Sequence, residues 1–417
     1  MQKSIIYYLL TVLIFLSFLL GFYLMENSSG QAGDSIHIFH NYKLFEDYNI
    51  TNLPWIKYGS SSLPLYYLIT TFLFEFESLL GLKIFNFIIA IISFLIFYAI
   101  LKNKFKTNNI FINSQIIFIS SLVFLSPYFR TATFYGMEEI TGIFFLLTTI
   151  YFFKIYKENK KNLNLFLCIL CSCLCFYSRQ SYLFLLVVIF FNLIDLKIFI
   201  TKKNITISLL FVVLLIPSLY IFYIWGGIHT PAAVEVSSRN KYLQIQNLPF
   251  ILNIMLIYLI PFAFLIFKNL REFNQFILSK FHLLSLFFTL NLMMLSIDEI
   301  PSVGGGAFSK LILITFESKY VYLVIYSLLA SISLMLIYKT AKNSSFFWLL
   351  FISMSLVFLN IDLVFQEYFD PLIFVFLLAF YDFSKINKKK LINFPLFMGC
   401  YYLLFLASSL FYYYKIV

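Results

Sequence analysis

The stretch SIIYYLLTVLIFLSFLLGFYLM, residues 4–25, is a run of apolar side chains without a charged residue. A helix needs about 20 such residues to cross the hydrocarbon core of a bilayer. Lys3 precedes the run and no small-residue cleavage site follows it, so we interpret it as a retained signal anchor. The chain is therefore predicted to enter a membrane with its N-terminus in the cytoplasm.

The composition of the whole chain extends this prediction. Of its 417 residues, 61% are hydrophobic and 12% are charged, whereas a soluble domain carries about 25% charged residues. Too few charges are present to cover a water-facing surface, so the composition predicts an all-α, polytopic integral membrane protein. The net charge of +11 does not indicate nucleic-acid binding, because the basic residues occur in short clusters between apolar segments.

Thirteen apolar segments are predicted as transmembrane helices of one integral membrane domain, residues 1–417. They are 4–25, 83–101, 110–125, 139–153, 163–177, 181–196, 205–225, 248–267, 281–297, 320–338, 346–364, 369–381 and 392–414. The segment 63–80 contains Glu75 and Glu77, so it is predicted as an amphipathic helix on the outer surface. With this threading, most of the 30 Lys and Arg residues face the cytoplasm and most of the 19 Asp and Glu residues lie outside.

The predicted outer loops contain the residues that could carry chemistry. These loops are 26–62, 126–138, 226–247, 298–319 and 365–370. In the first of them Asp34, His37 and His40 are spaced three apart, so one helical face could present all three. Asp34 is predicted as a general base, with a helix cap as the alternative. A metal site is less favoured because no further cluster completes it, and no cofactor is predicted.

The second and third outer connections contain arginines and acids near the ends of predicted spans. Glu138 and Glu139 open a helix, where they either suit its dipole or act on a substrate. Arg130 and Arg179 either extend toward the headgroup region or bind a phosphate. Further candidates for contact with phosphate or saccharide are Lys57, Gln180, His40, His229, Arg239 and Glu367.

The order of these features resembles the GT-C superfamily of membrane glycosyltransferases. The residues that carry this resemblance are, in chain order, Asp34, then Leu63-Pro64-Leu65-Tyr66-Tyr67, then Lys102, Lys104 and Lys106. Three further pieces look like the α-1,2-glucosyltransferases that add the last glucose in lipid-linked N-glycan assembly: Asp34 with His37 ahead of Pro64-Leu65-Tyr66, Arg179-Gln180, and Trp225-Gly226-Gly227. The chain departs from that pattern at Ser35, where the family has a second acid, and in its histidine spacing, which is one residue short.

The resemblance implies inverting transfer of a hexose from a polyprenyl-phosphate donor at the extracytoplasmic face. It implies Asp34 or Glu138 as the base and Arg130, Arg179, Gln180 or Lys57 at the donor phosphate. Residues expected to bind the saccharide are His37, His40, Glu139, His229, Arg239 and Glu367.

The composition is also similar to that of bacterial inner-membrane proteins that assemble surface polysaccharides such as O-antigen or capsule. An O-antigen polymerase that joins undecaprenyl-diphosphate-linked repeat units is therefore an alternative function. A flippase or transporter is the non-enzyme alternative. It is less favoured because the predicted spans are nearly free of charge, whereas transporters keep ionisable residues at mid-membrane depth.

Overall fold

The protein is described by a computed structural model. The structure describes residues 2–60, 62–74, 78–108, 110–195, 201–232, 243–296, 304–316, 318–342, 344–361, 363–386 and 388–416. In these ranges the chain is helical and has no strand, in agreement with the predicted all-α class. The chain divides into two compact units, Met1–Ser238 with Gly399–Val417 and Arg239–Met398, where the sequence predicts one domain.

The first unit contains ten helices among its described residues. They are α1 (Gln2–Tyr23), α2 (Asp34–Asp47), α3 (Leu65–Leu73), α4 (Leu79–Asn108), α5 (Asn113–Ser121), α6 (Pro127–Phe134), α7 (Glu139–Asn159), α8 (Asn162–Ser178), α9 (Leu183–Leu193) and α10 (Lys202–Trp225). The helices that follow are α11 (Asn247–Ile266), α12 (Leu270–Ser279), α13 (Phe281–Ser296), α14 (Gly306–Thr315), α15 (Lys319–Ala341), α16 (Ser345–Phe358), α17 (Leu372–Phe380) and α18 (Lys388–Ile416). The last of these begins in the second unit and ends in the first.

Within the described residues, seven helices are long and apolar enough to cross a membrane, or nine if each of two bent helix pairs forms one span. The bent pairs are α5 with α6, at 67°, and α12 with α13, at 76°. These helices are compatible with an integral membrane protein. The thirteen predicted spans are not confirmed, because α9 has 11 residues and α17 has 9, too few for the about 20 that a bilayer needs.

Several predicted outer loops contain helices. Helix α2 lies inside the predicted loop 26–62, α6 inside 126–138 and α14 inside 298–319. The predicted loop 365–370 contains a short 3-10 helix, Gln366–Tyr368. Hydropathy does not detect these helices, because each contains polar residues or is short.

The predicted surface helix 63–80 is divided. Helix α3 ends at Leu73 and α4 begins at Leu79, while residues 75–77, with the two predicted acids, lie outside the described residues. Tyr66 and Tyr67 on α3 are fully buried. This helix is therefore packed into the protein on one face, which a helix lying freely on the surface would not be.

The packing of the first unit leaves one face of α1 outward. Leu9, Leu13, Leu16 and Leu20 are each more than half exposed, as expected for side chains that face lipid tails. The other face packs on α5 and α6, and α7 packs on α4 and α8. The end of α18 joins this unit, where Ser409 Oγ donates to the carbonyl of Ser28 at 2.6 Å.

Candidate functional site

The turn between α6 and α7 determines where Glu138 lies. Gly136 has φ of +72°, a conformation that glycine adopts without strain. Tyr66 donates its hydroxyl to the Gly136 carbonyl at 2.7 Å, and Asn86 Nδ2 donates to the Met137 carbonyl at 2.6 Å. These two bonds fix the turn from α3 and α4, so Glu138 is presented at the start of α7.

Glu138 is a buried carboxylate, with 5% of its surface exposed. Ser60 Oγ donates to its Oε1 at 3.0 Å, while its buried Oε2 accepts no hydrogen bond from any residue that the structure describes. Burial and the charge of Glu139 raise the pKa of Glu138 to about 7. The hydroxyls of Ser62 and Ser60 and the charge of Arg179 act in the opposite direction and only partly offset this rise. At neutral pH this side chain is therefore divided between its two protonation states.

The adjacent residue, Glu139, is the first residue of α7 and forms an ion pair with Arg179. Arg179 Nη1 lies 3.1 Å from Glu139 Oε1, and both side chains are only about one-sixth exposed. Arg179 ends α8 in an extended conformation, with its N–H bonded to the carbonyls of Cys175 and Phe176. Two helix ends that are 40 residues apart in sequence are thus joined by one ion pair, because α7 and α8 are connected by a short link and pack against each other.

Asp34 lies at the rim of this cluster, as the first residue of α2. The residue is exposed, yet the surrounding protein partly desolvates its carboxylate. This desolvation and the charge of Glu139 raise the pKa of Asp34, while His37 and Arg179 act in the opposite direction. Asp34 is therefore within electrostatic reach of three other predicted site residues. We call Asp34, Glu138, Glu139 and Arg179 the carboxylate site.

The predicted helical face of Asp34, His37 and His40 lies on α2, and all three residues are exposed. His37 influences the pKa of Asp34. No three His, Cys, Asp or Glu side chains among the described residues come close enough to hold a metal ion.

Arg130 has a different environment from Arg179. Its Nε and Nη2 donate to the two carboxylate oxygens of Glu26, at 2.7 and 2.5 Å. Nη1 donates to the Phe124 carbonyl at 3.0 Å and to Ser17 Oγ at 3.5 Å, and Nη2 donates to the Ser17 carbonyl at 2.9 Å. Because a guanidinium has five N–H groups and the side chain is 1% exposed, the predicted phosphate contact of Arg130 gives way to a structural role.

Gly21 makes room for this buried ion pair. A Cβ atom at Gly21 would lie 2.8 Å from Glu26 Oε2 and closer still to Arg130 Nη2. The rings of Phe18 and Phe134 lie 5.8 and 5.4 Å from the guanidinium carbon, a distance at which aromatic faces attract a cation. Arg130 therefore braces α1 against α6.

The remaining predicted residues are distributed more widely. Gln180 Nε2 donates to the Ile228 carbonyl at 3.4 Å, which brings the segment after α10, with exposed His229, beside the Arg179–Gln180 turn. Lys57 is exposed on the 3-10 helix Trp55–Lys57. Arg239 lies outside the described residues. Glu367 lies in the second unit, within electrostatic reach of Lys310.

Sequence reasoning missed the segment that holds Glu138. Asn41 Oδ1 on α2 accepts from the Gly59 N–H at 3.0 Å, and Asn41 Nδ2 donates to Tyr67 at 3.3 Å. Tyr58 donates to the Ser62 carbonyl at 2.9 Å. The run Gly59-Ser60-Ser61-Ser62 is the signal that could have found this segment, since a glycine and three serines between apolar runs indicate a turn that presents hydroxyl groups.

No known protein family, curated protein or solved structure matches this chain.

Proposed function

We propose that this chain is a membrane glycosyltransferase that moves a sugar from a polyprenyl-linked donor at the extracytoplasmic face. The observation that carries the proposal is the convergence of Asp34, Glu138, Glu139 and Arg179 from the starts of α2 and α7 and the end of α8. The pKa values of Asp34 and Glu138 are raised, and carboxylates perturbed in this way are used in general base catalysis. They are also costly to keep at the end of a membrane helix unless they serve a function.

Asp34 is the proposed base, because it is exposed and can reach an acceptor hydroxyl. Its carboxylate takes the hydroxyl proton while the hydroxyl oxygen forms a bond to the anomeric carbon of the donor sugar. The bond from that carbon to the phosphate oxygen breaks, and the electron pair leaves with the polyprenyl phosphate. Attack from the side opposite the leaving group inverts the anomeric centre.

Arg179 is the proposed partner of the leaving phosphate. A guanidinium can bind a phosphate through two parallel hydrogen bonds, and it stays charged at every relevant pH. The Glu139 ion pair holds the guanidinium in place before the donor binds. Glu138, with its pKa raised to about 7, is proposed to bind a hydroxyl of the saccharide.

The proposal is tested by deleting the gene in its host and restoring it as wild type, Asp34→Asn or Asp47→Asn. Asp47 is the matched control because it is an exposed aspartate at the other end of the same helix. The readouts are the surface polysaccharide ladder and the pool of polyprenyl-linked intermediates. We expect wild type and Asp47→Asn to restore the polysaccharide and Asp34→Asn to accumulate a precursor.

The outcome also distinguishes the reaction. A precursor that lacks one sugar supports single-sugar transfer, whereas accumulation of single repeat units on a diphosphate supports the polymerase alternative. Full activity of Asp34→Asn would remove Asp34 from the chemistry. Precursors trapped on the cytoplasmic side after deletion would favour a flippase and contradict the proposal.

A further inference from the structure

Two buried tryptophans lie next to the segment that holds Glu138, and neither indole N–H has a partner among the described residues. Trp55 and Trp225 are 8% and 7% exposed, and their ring centroids are 5.6 Å apart. The Nε1 atoms of both are buried without a hydrogen-bond partner among the residues that the structure describes. A buried indole N–H normally has a partner, and leaving it without one costs about 1–3 kcal/mol.

Tyr58 connects these indoles to the carboxylate site. Its ring centroid lies 5.6 Å from that of Trp55 and 6.5 Å from that of Trp225. Burial raises the pKa of Tyr58 well above its ordinary value, and the charge of Glu138 raises it further. Tyr58 also donates its hydroxyl to the Ser62 carbonyl at 2.9 Å, and Ser60 Oγ donates to Glu138 Oε1 at 3.0 Å, so the ring cluster adjoins the segment that contacts the buried carboxylate.

The carboxylates carry the complementary unused groups. Glu138 Oε2 and Glu139 Oε2 are buried and accept no hydrogen bond from a described residue. Among the described residues, the region thus combines two indole N–H groups and two carboxylate oxygens without a hydrogen-bond partner, beside buried aromatic rings. A single ion would bind either to the N–H donors or to the carboxylate oxygens, but not to both.

We propose that Trp55, Trp225 and Tyr58, together with Glu138 and Glu139, form a saccharide subsite. A pyranose ring offers hydroxyl groups that both donate and accept, and C–H faces that pack on aromatic rings. Its hydroxyls would accept from the indole N–H groups and donate to the free carboxylate oxygens. This inference rests on the proposed function in that it places the sugar beside Asp34, but saccharide binding itself can be measured without turnover.

The sequence offers a matched reporter for this test, because it contains three tryptophans. The third, Trp348, lies on α16 in the second unit. In the Trp348→Phe variant, all tryptophan emission comes from the proposed subsite. The full chain, in lipid nanodiscs free of sugar-based detergent, is titrated with the methyl glycosides of glucose, galactose, mannose and N-acetylglucosamine.

We expect at least one glycoside to shift the Trp348→Phe emission saturably, at the millimolar affinity typical of small ligands. The Trp55→Phe and Trp225→Phe variants keep an aromatic ring but lose the N–H, so affinity measured by saturation-transfer NMR should fall about five- to tenfold in each. Glu138→Gln should weaken binding similarly, whereas Asp47→Asn, at an exposed position with no role in the site, should leave it unchanged. A single cooperative thermal transition in each variant shows that the fold is retained.

Two results would overturn the subsite. One is the absence of a saturable shift with all four glycosides, in which case ordered water serves the indole N–H groups. The other is binding that Trp55→Phe and Trp225→Phe leave unchanged. Glycoside binding by a chain whose deletion leaves the polysaccharide intact would instead count against the proposed transfer and leave the subsite standing.

Discussion

Arg179 Nη1 lies 3.1 Å from Glu139 Oε1, and the two charges act in opposite directions on the same two neighbours. Glu139 raises the pKa of both Asp34 and Glu138, and Arg179 lowers both. Burial is the largest cause of the raised pKa of Asp34, and the ion pair adjusts the pH range in which this proposed base is ionised. This arrangement makes the pH dependence of activity sensitive to each partner separately.

Replacing Glu139 by Gln should move the acid limb of the activity profile to lower pH. The substitution removes a negative charge that raises the pKa of Asp34, and a base with a lower pKa stays ionised in more acidic solution. The measurement is the pH dependence of transfer in membranes, with Glu46→Gln on α2 as a control because Glu46 is exposed. An acid limb that does not move, or moves upward, would contradict the proposed role of Asp34.

Replacing Arg179 by Ala should produce the opposite shift together with a loss of activity. Without the guanidinium the pKa of Asp34 rises, so the acid limb moves to higher pH. Loss of the proposed phosphate contact should lower turnover by about 100- to 1000-fold, the usual effect of removing one donor to a developing charge. Arg179→Lys should keep the wild-type limb but recover little turnover, since an ammonium cannot bind phosphate bidentately.

The exposed Arg271 on α12 is the matched control for the Arg179 variant. Arg271→Ala should keep both turnover and pH profile. Wild-type turnover of Arg179→Ala would show that its guanidinium only extends toward the headgroup region and does not take part in the reaction.

Replacing Glu138 by Gln should stabilise the protein above neutral pH. Its pKa is raised from 4.5 to about 7 in the folded protein, so the folded state favours the neutral form. Its contribution to stability is fully present below pH 4.5 and is lost as the pH rises to about 7. At pH 8 ionised Glu138 costs about 3 kcal/mol, which the neutral amide avoids.

The measurement is the thermal midpoint of wild type and of Glu138→Gln between pH 5 and 8. The quantity compared is the difference between the two midpoints at each pH. We expect the variant to gain on wild type as the pH rises, while losing saccharide transfer, as is common when a strained site is relaxed. A constant difference across this range would show that Glu138 has an ordinary pKa.

Replacing Arg130 by Ala should lower the stability of the fold and should not act directly on the proposed reaction. The change leaves the Glu26 carboxylate without its guanidinium in a buried environment, and breaking such a pair costs about 3–5 kcal/mol. Gly21→Ala should act in the same direction, since its methyl group would collide with the pair. The amount of folded protein recovered from membranes, with Arg271→Ala as control, measures the effect, and full recovery of Arg130→Ala would contradict the bracing role.

The sequence predicts the helical class and most of the carboxylate site, because both depend on local features. Acids at the start of α7 and an arginine in the short link after α8 are visible in the sequence as polar residues that interrupt apolar runs. Their convergence is not visible, because it follows from the packing of α7 on α8 and from the turn that Tyr66 and Asn86 hold.

The difference between the two arginines was beyond sequence reasoning for a physical reason. Arg130 and Arg179 are each a single basic residue near the end of an apolar segment. Their environments are determined by tertiary partners, Glu26 for one and Glu139 for the other. Similarly, a hydropathy profile reports apolar length but not where a helix ends, so the short helices α9 and α17 were predicted as full spans.

The ion pair of Glu26 and Arg130 also has a consequence for biosynthesis. The two residues are 104 positions apart, so at about 5–20 residues per second the ribosome adds Arg130 roughly 5–20 seconds after Glu26. During that interval α6 does not yet exist, so the acid that follows α1 has no guanidinium to neutralise it. The contact between α1 and α6 can form only after α6 has been translated.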